Sequence, residues 1–175
     1  MIMAHWLLQV NPKKWPLDDF LAAGGHTDAW PIRRHRDAIT AGDQVALWTS
    51  GGDGGVVAVG VITGVPRRGA ADDRFWPGGV DDRWLLPVRF DQTFPGTTIA
   101  RATLSEDPRF ATTLVLRMSG GGNPFPVTPA EWEAVEERVP PHGPVAATVR
   151  GAAAVVVAGA TAVREAFRTA VTRQS

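Results

Sequence analysis

The chain has 175 residues, 18 basic and 18 acidic side chains, and no cysteine. Disulfides, thiol chemistry and cysteine-ligated zinc are excluded. Zero net charge excludes a globally basic nucleic-acid binder, so any site for a polyanion must be a local patch. The length suits one domain with its own core plus a small extension.

His5 to Val10 (HWLLQV) is a short apolar run that reads as a buried first strand. No charged segment precedes it, so it does not read as a signal peptide. Leu17 to Ala23 is predicted as a helix stopped by Gly24-Gly25. Pro31 disfavours helical geometry at Trp30, so Asp28 to Pro31 is predicted as a bend. Residues 33–40 are predicted as one or two helical turns leading into a Gly42-Asp43 turn. Gln44 to Thr49 reads as a strand, Ser50 to Gly55 as a hairpin loop, and Val56 to Val65 as its partner strand. Gly60 and Gly64 permit a bulge there.

Pro66 to Asp82 is predicted as a long polar loop carrying Phe75 and Trp76. Trp84, Leu86, Val88 and Phe90 alternate onto one face of a strand. Thr97 to Leu104 reads as another strand and Ser105 to Phe110 as a helical turn. Thr113 to Met118 fits helix and strand equally. Ser119 to Asn123 is a loop. Thr128-Pro129-Ala130-Glu131 is a capping box with proline at the first helical position, so a helix runs from there to about Val139. Residues 140–144 form a linker, and 145–172 one long helix rich in alanine and valine. Its apolar run, Gly151 to Val163, is too short to span a membrane. The sum is an α+β, mainly β chain: a curled barrel of five to six strands with short helices, plus a C-terminal helix. Residues 1–139 form the domain and 145–175 the extension.

Trp30 precedes the densest basic cluster, Arg33, Arg34, His35 and Arg36. Aromatics beside cations on a small closed sheet suit a flat ligand next to a phosphate. A base drawn from a helix needs walls that replace its lost stacking, worth about 1–3 kcal/mol per base. Candidate walls are Trp30, Trp48 and Trp76. Trp6, Trp84 and Trp132 sit in periodic contexts and read as core. The Ser50-Gly51-Gly52 backbone, the Ser50 hydroxyl and the Asn11 amide can read a base edge, and Ile32 joins the base-contacting set. Arg33, Arg34 and Arg36 can meet the phosphate backbone, with Arg67 and Arg68 as a second pair. Each candidate has a plainer alternative: core packing for the tryptophans, a hairpin turn for the glycines, a solvated face for the arginines.

Catalysis finds little support. The four histidines are scattered, no serine sits in a nucleophile elbow, and the glycine runs lack the Lys-Ser/Thr of a phosphate-binding loop. No metal and no cofactor are expected.

The ordered set WLLQVNPKKW (6–15), WPIRR (30–34), AGDQVALWTS (41–50), GGVVAVGVI (54–62), GGNPFPVT (121–128) and Glu131-Trp132 resembles the EVE domain. That family lies in the PUA-like superfamily, with the YTH readers of methylated adenine. The resemblance implies a PUA-like barrel that binds a modified base in an aromatic-lined pocket. The base it implies is a methylated or hydroxymethylated cytosine in DNA. EVE domains are associated with modification-dependent restriction, which implies a recognition part in a restriction or regulatory system. YTH readers carry a cage tryptophan in the loop after the second central strand, which makes Trp76 its equivalent. The chain has no tyrosine, so a cage would use Trp and Phe. Two other readings stay open: PUA-type RNA binding on the same surface, and a protein-interaction module. In the latter, residues 145–172 self-associate or dock a partner. DNA is favoured over RNA, no membrane partner is expected, and a cytoplasmic location is compatible.

Overall fold

A computed structural model describes residues 2–71, 74–76, 80–94, 98–118 and 122–141. The elements are β1 (His5–Val10), α1 (Leu17–Ala22), β2 (His26–Ile32), β3 (Gln44–Thr49), β4 (Gly55–Ile62), β5 (Arg67–Ala71) and β6 (Val80–Thr93). They continue with β7 (Ile99–Ala100), α2 (Arg101–Glu106), α3 (Leu114–Arg117), β8 (Phe125–Val127) and α4 (Pro129–Glu136). The strands form one sheet in the order β2-β6-β4-β3-β1-β8, with β5 on β6 and β7 on β4. Among the described residues, only β1 and β3 run parallel. Met1–Val139 is a compact unit.

The central strands are covered on both faces, which is why they read as nearly continuous apolar runs. Trp6, Leu8 and Val10 of β1 and Val45 and Leu47 of β3 enter one core with Trp15, Phe20, Trp30 and Phe90. Leu7, Ala46 and Trp48 point the other way, into a second core with Phe110, Phe125 and Trp132. Register shifts bend the sheet, one of them between Val59 and Val61 where β4 meets β6. Gly60 sits at that shift, and a Cβ there would run into the Arg89 carbonyl oxygen. The backbones approach too closely for any side chain.

The second core is locked by ion pairs. Asp107 bonds Arg109 at 2.9 Å and Arg138 at 3.0 Å, and Arg109 bonds Glu137 at 2.7 Å. The Thr128–Glu131 capping box is present in full at the start of α4.

Several expectations are corrected. Asp28 to Pro31 is not a bend but lies within β2, which pairs with β6 across a bulge. Pro31 is tolerated because β2 lies at the end of the strand order, where a missing N–H breaks no second ladder. Residues 33–40 contain a turn, not a helix. His35 there has φ 60, a left-handed conformation that histidine adopts more readily than most residues. The expected loop from Pro66 contains β5, and the expected strand from Thr97 shrinks to β7 before α2 begins. Thr113 to Met118 resolves as the short helix α3. The expected C-terminal helix, residues 145–172, lies outside the described residues, as does most of the 140–144 linker. Among the described residues, no helix is long and apolar enough to cross a membrane.

Candidate functional site

A cavity of about 570 Å³ opens at one end of the sheet. The parallel pair β1/β3 brings Gln9, Val10 and Ser50 to the same end, and the Ser50 N–H donates to the Val10 carbonyl at 2.8 Å. β2 runs antiparallel to β6, so its last residues, Pro31 and Ile32, and the Arg33 and Arg34 that follow them come to the same cavity as the early β6 residue Arg83. Asn11 and Lys14 close one side, Gly122 and Asn123 another. Asn123 ties the floor together. Its side chain bonds both backbone groups of Gln9, and its carbonyl accepts from the Arg33 N–H at 3.0 Å.

The basic loop after β2 is held from below by Asp43, which is only 2% exposed. Its carboxylate accepts from the Ala4 and Thr40 amides, the Thr40 hydroxyl and the Trp6 indole, at 3.0–3.1 Å. Burial raises the Asp43 pKa, but the bonds from Thr40, Trp6 and Ala4 together outweigh it, and the carboxyl lies below its ordinary value. Trp6, fixed in this way, carries the His35 ring 5.6 Å from its own. The chain between Arg33 and Thr40 is therefore positioned by a buried charge.

The cavity's electrostatics follow from which cations are already paired. Lys14, Arg33, Arg34 and Arg83 line it, with no acidic residue among the described lining. None of the four has an ion pair among the described residues. Arg36, Arg67 and Arg68, by contrast, are engaged. Arg36 lies 3.7 Å from Asp37 and 4.9 Å from the centre of the Trp84 ring. Arg68 bonds Asp82 at 2.6 Å, and Arg67 bonds the Asp28 carbonyl at 3.4 Å. Four cations without an ion pair among the described residues thus meet at one opening of a neutral chain.

Of the sequence-stated candidates, the structure gathers Asn11, Ile32, Ser50, Arg33 and Arg34 around one cavity. The aromatic walls are not there. Trp30 is 0% exposed and packs between Trp15, Phe20 and Phe90. Trp48 is 1% exposed and stacks on Phe110 in the other core. The two rings lie on opposite faces of the sheet and cannot flank one ligand. Trp76 is half-buried, 5.3 Å from Trp15 and 5.6 Å from Trp30, where it covers the first core. Gly51 adopts φ +116 in the hairpin and is not in the described lining, which contains no aromatic side chain. Arg36, Arg67 and Arg68 sit outside the cavity. Sequence reasoning missed Gln9, Lys14, Arg83 and Asn123. Asn123 had a signal, since Asn-Pro before a strand marks a turn; Arg83 had none without the β2/β6 pairing.

The curled, mainly β sheet with its few short helices is a PUA-like fold. An EVE-domain sequence model matches residues 4–138, and the chain belongs to the EVE-domain family. No curated protein sequence matches it significantly. Among similar solved structures is Rpa0253 from Rhodopseudomonas palustris, at 23% identity and TM-score 0.59, covering 80% of this chain and 97% of that one. A hypothetical protein from Leishmania major is 18% identical with TM-score 0.55, covering 78% and 94%. Human THYN1, solved in complex with DNA containing 5-methylcytosine, is 17% identical with TM-score 0.53, covering 80% and 99%.

Proposed function

We propose that the chain is a non-catalytic binder of a modified nucleobase, a methylated or hydroxymethylated cytosine in DNA, held in the cavity between β1, β2 and β6. In that role it serves as the recognition part of a restriction or regulatory system. The observation that carries this reading is the set of four cations, without an ion pair among the described residues, around one concave opening of a neutral chain. The Asn11 amide and Ser50 hydroxyl stand in the same wall and suit hydrogen bonds to a base edge. Membership of the EVE family and the fold shared with a protein solved on 5-methylcytosine DNA support it.

Val10, Pro31 and Ile32 supply the apolar lining, in place of the aromatic cage. The phosphates flanking an extruded base then carry much of the affinity. Titration of labelled duplexes that differ only in the modification of one cytosine tests the reading, with structured RNA as competitor. The modified duplex binds more tightly than the plain one and RNA competes weakly. Preference for RNA would move the site to RNA binding.

A further inference from the structure

The β2/β6 register ends at Ile32↔Trp84. Arg33, the residue after Ile32, and Arg83, the residue before Trp84, both line the cavity. Like charges gathered around one concave site repel. Lys14 and Arg34 add two more positive charges to the same cavity, and no carboxylate among the described lining offsets them. Carboxylates are available nearby in sequence, at Asp37 and Asp82, but they pair with Arg36 and Arg68 instead. The cavity therefore keeps an electrostatic cost that an anionic ligand removes.

The guanidinium fork matches the oxygens of a phosphoryl group and can bond it through two parallel N–H groups. A volume of about 570 Å³ falls within the range of small-ligand pockets. We propose that the cavity holds the phosphate of the same nucleotide whose base it reads, between Arg33 and Arg83. A free nucleoside monophosphate is then a sufficient ligand, without a duplex. The base half of this proposal rests on the modified-base reading; the anion subsite rests on the cations alone.

Calorimetric titration of the full chain tests it, using 5-methyl-2′-deoxycytidine 5′-monophosphate, the matching nucleoside, unmethylated dCMP, plain deoxycytidine and inorganic phosphate. The methylated monophosphate binds at least about tenfold more tightly than its nucleoside, the scale of a charge-assisted hydrogen bond. Inorganic phosphate competes with it. Arg33→Gln and Arg83→Gln each remove most of the difference, Arg83→Lys keeps part of it, and Arg89→Gln, on the same strand but paired with Asp91, keeps all of it. Circular dichroism confirms that each variant is folded; Arg83→Lys carries the test if Arg83→Gln is not. Equal affinity for nucleoside and monophosphate, or no competition by phosphate, overturns the proposal. Should dCMP bind as tightly as its methylated counterpart, the phosphate subsite stands and the modified-base reading falls. A methylated nucleoside that binds as tightly as its monophosphate, and more tightly than plain deoxycytidine, does the reverse.

Discussion

The side-chain amide of Asn123 takes the place of a backbone pair for Gln9, accepting from its N–H at 2.6 Å and donating to its carbonyl at 2.9 Å. The β1/β8 register runs His5↔Val127 to Leu7↔Phe125, and the next position in step is Gln9 opposite Asn123. The Asn123 backbone carbonyl accepts from the Arg33 N–H, so it is the side chain that meets Gln9. The amide extends the ladder by one pair and, through the Asn123 carbonyl, also fixes Arg33.

Asn123→Ala removes two partly buried hydrogen bonds and destabilises the domain by about 1–3 kcal/mol. It also weakens DNA binding, because the Asn123 backbone that holds Arg33 loses its tie to Gln9. Urea denaturation and a binding isotherm on the same sample check both effects. A variant with lower stability and unchanged affinity shows that the anchor does not shape the cavity.

Asp43, Asp107 and Glu137 all have pKa values below their ordinary ones. For Asp43, hydrogen bonds from Thr40, Trp6 and Ala4 outweigh its burial. The Arg109 side-chain bonds lower Asp107 and Glu137. A carboxyl depressed in the folded state contributes stability in full above its unfolded value of about 4. That contribution fades as the pH falls below this value toward the folded pKa. Denaturation midpoints should be flat from pH 7 to about pH 5 and fall steadily below pH 4. Asp43→Asn presents an amide to several N–H donors, costs about 1–3 kcal/mol at pH 7, and shows a shallower acid decline.

The split between paired and unpaired arginines is measurable through salt. Arg33→Gln and Arg83→Gln each lower the slope of log affinity against log salt by about 1. Arg68→Gln leaves the slope unchanged, since Arg68 is already held by Asp82. Equal slope changes at Arg68 and Arg83 would show that the cavity is not the phosphate contact.

Trp30 is a core residue that precedes the lining residues Pro31 to Arg34. Trp30→Ala destabilises by about 3–5 kcal/mol. Trp30→Phe keeps the packing with Trp15 and Phe20 in part and leaves DNA affinity unchanged. Loss of affinity without loss of stability in Trp30→Phe would return the ring to the binding surface.

Much of the fold is written locally. The apolar runs of β1 and β3, the alternation of Trp84 to Phe90 and the Thr128–Glu131 box each follow from nearest neighbours in sequence. β5 is hidden because Arg-Arg-Gly-Ala-Ala has no β-branched or aromatic residue, and only its pairing with β6 makes it a strand. β2 is hidden by its proline. The site divides the same way. Arg33, Arg34, Ser50 and Asn11 stand at element ends and are legible as candidates. Arg83 and Lys14 come to them only through the topology. The tryptophans mislead because adjacency to arginine in sequence does not say which face a ring takes, and Trp30 turns inward with Ile32.

The decisive experiment titrates the chain with two duplexes that differ only in 5-methylation of one cytosine, at several salt concentrations, alongside Arg83→Gln. The methylated duplex should bind more tightly at every salt concentration, and Arg83→Gln should give a weakened, less salt-dependent isotherm. Equal affinity for the two duplexes throughout, with Arg83→Gln indistinguishable from the parent chain, would contradict modified-base binding at this cavity.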